Sequence, residues 1–193
     1  VAVPFLILIG IWVITRAQMI RVEERIRFVA ESRVVALARL GDISRTFSEM
    51  RVNLRTFLLA TNGAGQSAAR VLYDEDVADL NRMLTDYADK RITGEQGQRM
   101  LNDFRALSRQ WMSDADTVMS LASVGQKGEA IALFSGSVMG LGKKLSDLLK
   151  EWVQFNEKLA TDAGHEALGS IEGARLNLMI AVGSAIALSI VLG

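Results

Sequence analysis

Two arginines four residues apart, Arg51 and Arg55, are the side chains in this sequence best suited to chemistry. Spacing of four puts them on neighbouring turns of one helix face. A guanidinium grips a carboxylate through paired hydrogen bonds, so the pair suits a small organic acid or the carboxylate of an amino acid. The same residues have a plainer role open to them, as solvated arginines paired with Glu49 or Asp114, because charged side chains mostly lie on surfaces. His165 is the only histidine. Asp162 and His165 share a helix face, but di-iron bundles need two such motifs and two further glutamates. There is no cysteine, which rules out disulfides, thiolate chemistry and cysteine-ligated metal. No Gly-rich phosphate loop or Ser/His/Asp set occurs either, so we expect neither an enzyme nor a bound cofactor. Core packing accounts for most of the eight methionines.

The elements that position the arginines follow from the spacing of apolar residues. Ile131, Phe134, Val138, Leu141, Leu145, Leu148, Trp152, Phe155 and Leu159 recur in steps of three and four, the seam of a helix in a bundle. The only proline is Pro4, so this last helix is free to run from Lys127 to the end of the chain. Ala36, Leu40, Ile43, Phe47, Met50, Leu54 and Phe57 mark a first helix that ends near Thr61. Residues 62–65, Asn-Gly-Ala-Gly, read as its cap and turn. A second helix from about Gln66 to Arg91 carries Tyr73, Val77, Leu80, Leu84 and Tyr87. A third begins after Thr93, its expected N-cap, and carries Met100, Phe104, Leu107, Trp111, Ala115, Val118 and Leu121. Residues 125–128 make the last turn. Four helices joined by short loops predict an all-α, antiparallel up-down-up-down four-helix bundle.

Charge and hydropathy are distributed unevenly. Acids and bases balance at 22 each, which gives no basic stripe and no expectation of nucleic acid. The apolar excess gathers at the two ends. Residues 1–15 and 176–193 carry no charge and are expected to be two transmembrane helices, each cut within the bilayer. No small-residue cleavage site precedes Arg16, which favours a membrane helix over a signal peptide there. Residues 16–175 form the domain between them. Its outer helices rise roughly 70 Å at 1.5 Å per residue, and the inner two roughly 42 Å. A lower stalk of two helices is thus expected, with Arg33 in its seam neutralised by Asp162 or a nearby acid.

Matching helices by height brings Arg51 and Arg55 level with residues 136–140, where Gly136, Ser137 and Gly140 leave space. Arg70 and Tyr73 of the second helix, and Trp111 and Asp114 of the third, fall in the same layer. The candidate ligand-binding set is therefore Arg51, Arg55, Arg70, Tyr73, Trp111, Phe134 and Ser137.

This arrangement resembles the four-helix-bundle sensor domain of methyl-accepting chemotaxis proteins. The resemblance rests on an apolar segment at each end, long outer and short inner helices, and arginines high on the first helix. It also rests on the stretches Ile43–Leu59, Trp111–Ala122 and Gly128–Asn156. In the aspartate-receptor type, two arginines four apart hold the ligand carboxylates, and Arg51 and Arg55 match them. A third lies five residues earlier in that type, where this chain has Thr46, with Arg45 one place off. The resemblance implies a homodimer in the bacterial inner membrane, a periplasmic sensor and a cytoplasmic signalling module. It also admits a periplasmic binding protein as the partner that is recognised. The same sensor precedes histidine kinases and cyclases, and a structural coiled coil that binds no small molecule is the alternative from another class.

Overall fold

The computed structural model describes residues 10, 12, 13, 16, 17, 19, 20, 23, 34–90, 92 and 94–192. Within these, α1 spans Val35–Leu59, α2 Gly63–Lys90, α3 Gly94–Ser123, α4 Lys127–Leu133 and α5 Met139–Leu192. A single π-helical turn, Phe134–Val138, joins α4 to α5. Among the described residues there is no strand. The chain divides into two compact units, 36–156 and the two ends together, 1–35 with 157–193.

Unit 36–156 is the bundle. Cross-helix contacts show α1, α2, α3 and the last helix (α4, the π-turn and the start of α5 in one run) each antiparallel to the next, since partner numbers fall on one side as they rise on the other. Asn53 of α1 donates to Asp76 of α2 at 2.8 Å, and Arg39 meets Asp86. Between α2 and α3, Arg105 donates to the Leu84 carbonyl at 3.1 Å and Tyr73 packs on Trp111. Between α3 and the last helix, Trp111 reaches Val138 and Gly97 lies against Phe155. The core that results is aromatic at its centre. Phe47 meets Phe104 and Trp111 edge-on, and Tyr87 meets Trp152 at 4.8 Å.

The α1 seam is buried as its spacing predicts, from Ala36 to Phe57. In α3 the buried stripe sits one position further round than expected, through Leu101, Ser108 and Ala122, while Met100, Leu107 and Leu121 flank it. Ser108 is tolerated inside because its hydroxyl donates to the Arg105 carbonyl at 3.1 Å.

The turns differ from expectation in one place. The second helix starts at Gly63 instead of near Gln66, because Asn62 caps it: its Oδ1 accepts from the Gly65 amide at 2.8 Å. Gly63 to Gly65 are therefore helical. The turn after α3 is a Schellman cap. The Gln126 amide bonds to the Leu121 carbonyl and the Gly125 amide to that of Ala122, with Gly125 at φ +83°, where a side chain would be strained. Gly94 also has a left-handed φ, +65°. The expected N-cap Thr93 lies outside the described residues.

The last helix departs from the expected seam at its start. Val138, Leu145 and Trp152 are buried as read, but Ile131 is 56% exposed and Ala130 is fully buried in its place. The π-turn is the reason. The Met139 amide reaches back to the Phe134 carbonyl, five residues away, so one extra residue is taken up and everything before it is displaced by one position.

Unit 1–35 with 157–193 holds the helical residues that follow Asn156, with Ala167 buried. Arg16 lies 5.5 Å over the Trp12 ring. No helix is long and apolar enough, among the described residues, to cross a membrane. The first expected span, 1–15, lies mostly outside those residues, as do Arg33 and its expected pairing with Asp162.

Candidate functional site

A continuous belt of side chains crosses the bundle at the level of Trp111. It begins on α2 with Arg70, whose Nε donates to Asp74 at 2.9 Å and whose terminal nitrogen meets Asp116 of α3 at 3.0 Å. The hydrogen bond to Asp74 raises the Arg70 pKa above its ordinary value, with Asp116 adding to it. The guanidinium lies 5.7 Å over the Tyr73 ring, a favourable stacking for a cation. Tyr73 is buried, and among the described residues its hydroxyl has no hydrogen-bond partner. Burial, followed by the charge on Asp116, pushes its pKa up. Tyr73 in turn sits 6.2 Å from Trp111.

Trp111 ties the belt to the last helix. Its Nε1 donates to the Val138 carbonyl at 3.1 Å, inside the core. Gly142 lies against the indole, close enough that an added methyl group would be in van der Waals contact with it. A methyl group there would lie 3.4 Å from the Trp111 nitrogen and 3.7 Å from Nε of Arg51. Arg51 thus reaches the Trp111–Gly142 contact from α1, about one turn from the 136–140 level the heights predict. Arg55 is exposed on the next turn. Neither arginine is ion-paired among the described residues. Glu49, a partner the sequence offered them, is held by Arg45 at 3.1 Å instead. Asp114, the other, accepts from Gln110 at 2.9 Å and from the hydroxyl of Ser137.

The structure thus brings Arg51, Tyr73, Trp111 and Ser137 to one level, with Phe134 half-buried in the π-turn. Arg70, at the far end of the belt, also lines a cleft of about 610 Å³ between α2 and α3, beside Phe57, Gln66 and Met119. Asp114 and Gly142 complete the level. Glycine at 142 was visible in the sequence as one of three glycines close together, but the contact that singles it out was not. Gly136 and Gly140 face open space. Among the described residues no group of His, Cys, Asp and Glu is placed to hold a metal. His165 is exposed.

An antiparallel helical bundle with an arginine belt near one end of its core is the frame of the candidate site. The chain belongs to the four helix bundle sensory module family for signal transduction, whose model matches residues 1–170, the sensory module of methyl-accepting chemotaxis proteins. No curated protein matches the chain.

Proposed function

We propose that the chain is the extracytoplasmic ligand-sensing part of a bacterial transmembrane chemoreceptor. It binds a small organic acid or amino acid at the Arg51 and Arg55 level and passes the signal along the last helix. The observation that carries this reading is the pair of arginines left without a carboxylate among the described residues, one of them beside the Trp111–Gly142 contact. Two unpaired guanidiniums a helical turn apart attract an anion and offer it paired hydrogen bonds. A ligand shifts the signalling equilibrium only through unequal affinity for its two states.

The membrane setting rests on sequence and exposure. Residues 176–193 carry no charge, and Leu176, Met179, Ile180 and Ile186 are each more than half exposed. Such a surface suits lipid better than water. Exposed Leu168 and Ile171 on the same helix suit a second copy of the chain, and a periplasmic binding protein is a further partner.

Titration calorimetry of the full chain in detergent, against small carboxylates and amino acids, tests the ligand. Binding that disappears in Arg51→Ala supports the reading. Heat from none of them, or heat unaltered by that substitution, overturns it.

A further inference from the structure

The last helix contains one residue more than its buried stripe needs. Counting back from Val138 in heptads, an unbroken α-helix seats Ile131 inward, the position that Leu145 and Trp152 continue. The π-turn seats Ala130 there instead and leaves Ile131 56% exposed. An isoleucine in water beside a buried alanine is the less favourable choice by apolar burial alone. Something local must hold the extra residue in place.

Two contacts do so, and they act on different ends of the turn. Trp111 Nε1 on the Val138 carbonyl fixes the lower end. The π-turn cannot move down the helix past this point, since that would put Ser137 in the core seat of Val138 and Lys144 in that of Leu145. Upward movement meets no such cost, because it replaces Ala130 by Ile131. The contact that opposes upward movement is the hydrogen bond from Ser137, within the turn, to the Asp114 carboxylate of α3. The backbone is free to turn there, since a Cβ at Gly136 or Gly140 would meet nothing within 4 Å.

We propose that Asp114 is a positioning residue whose bond to Ser137 latches the last helix in the Ala130-inward register, and that release of this bond lets residues 127–133 turn into the Ile131-inward register. The turn involved is about 100° with a displacement of about 1.5 Å, one α-helical residue. A cationic group on a bound ligand that competed for Asp114 would release the latch. That last step rests on the ligand-sensing reading above; the latch itself does not.

The experiment needs no ligand, and the absence of cysteine makes it direct. Ile131→Cys and Ala130→Cys are made singly in the full chain, and thiol labelling rates are measured. In the parent background the thiol at position 131 labels fast and the one at position 130 slowly. Adding Ser137→Ala, or Asp114→Ala, slows labelling at 131 by about threefold or more and speeds it at 130, the response to losing one charge-assisted hydrogen bond. Opposite movement of the two rates distinguishes a change of register from fraying, which speeds both. Deletion of Gly136 supplies the control, since it closes the turn with Ala130 kept inward; in that chain Ser137→Ala leaves labelling at 131 fast. Unchanged rates, rates that rise together, or a Ser137→Ala effect that persists in the deletion chain would each overturn the latch. If Ala130→Cys loses helicity by circular dichroism, the rate at 131 and its loss of response in the deletion chain decide alone.

Discussion

The hydroxyl of Tyr87 donates to Oδ1 of Asn156 at 3.2 Å, joining α2 to the last helix across 69 positions of sequence. Both side chains are buried, and the Asn156 amide donates onward to the Trp152 carbonyl at 2.9 Å. Tyr87→Phe leaves that buried oxygen with one donor fewer, at an expected cost of about 1–3 kcal/mol in urea unfolding. Adding Asn156→Leu to it recovers part of the loss, because two apolar groups replace the pair. A double substitution with additive losses would show that the pair does not interact.

Glycines on the last helix separate by what surrounds them. Gly140 meets nothing within 4 Å of an added Cβ, so Gly140→Ala is expected to stabilise the fold by about 1 kcal/mol through helix propensity. Gly142 is the seat of Trp111. Gly142→Val forces the indole from the Val138 carbonyl and lowers stability by about 1–3 kcal/mol. Thermal melts of the two variants should move in opposite directions.

Arg51→Ala and Arg55→Ala are expected to change thermal stability by less than about 1 kcal/mol, since neither arginine is ion-paired among the described residues. Ligand affinity falls about tenfold or more for each, the effect of one charged hydrogen bond lost. Arg105→Ala gives the contrast. It removes the bond to the Leu84 carbonyl, so stability falls while affinity holds.

Asp76 carries the pH dependence that the bundle's charges predict. Burial raises its pKa above the ordinary aspartate value, Glu49, Asp79 and Glu75 add to the rise, and the bond from Asn53 opposes it. A folded-state pKa raised above the unfolded one means folding favours the protonated form. This group's contribution to stability is full at low pH and is lost as pH rises through the folded-state value. Asp76→Asn, which keeps an acceptor for Asn53, should therefore melt higher than the parent at neutral pH. The gap should close as pH falls below the ordinary aspartate range, and a constant gap across that range would remove this role.

The proposed homodimer predicts a pattern of disulfides. Single cysteines placed at each position from Thr161 to Arg175 should crosslink under mild oxidation in membranes, with yields peaking every three to four residues and including Leu168. Uniformly low yields would count against a symmetric stalk of two chains.

Much of this bundle was legible because helix seams are written in spacing. Phe47, Tyr73, Leu84 and Trp152 announce their burial by their neighbours three and four residues away. Ile131 was misread for a physical reason. A π-turn leaves no mark in apolar periodicity except a phase step of one residue, and Ile131 and Ala130 are both apolar, so either phase fits. Buried polar groups were equally silent, since Asn156 and Ser108 look like surface residues until Tyr87 and the Arg105 carbonyl are brought to them. At the candidate site, helix heights alone placed Arg51 within about one turn of the level at which it meets Gly142. The bond of Trp111 to a main-chain carbonyl was beyond reach, because every residue has a carbonyl.

The burial of Trp111 and Trp152 has an optical consequence. The chain has three tryptophans, and these two are sealed in the core some distance apart along the bundle, one beside Tyr73 and Gly142 and the other beside Tyr87 and Phe104. Their emission should be blue-shifted and shielded from iodide, and Trp12, in the segment expected to enter the membrane, is replaced by phenylalanine throughout so that it adds no signal. Removing one indole at a time with phenylalanine yields a protein whose remaining buried fluorophore reports on one end of the bundle alone. Events at the arginine belt and events near the Asn156 end can then be timed separately, in the same stopped-flow cell and without any attached dye.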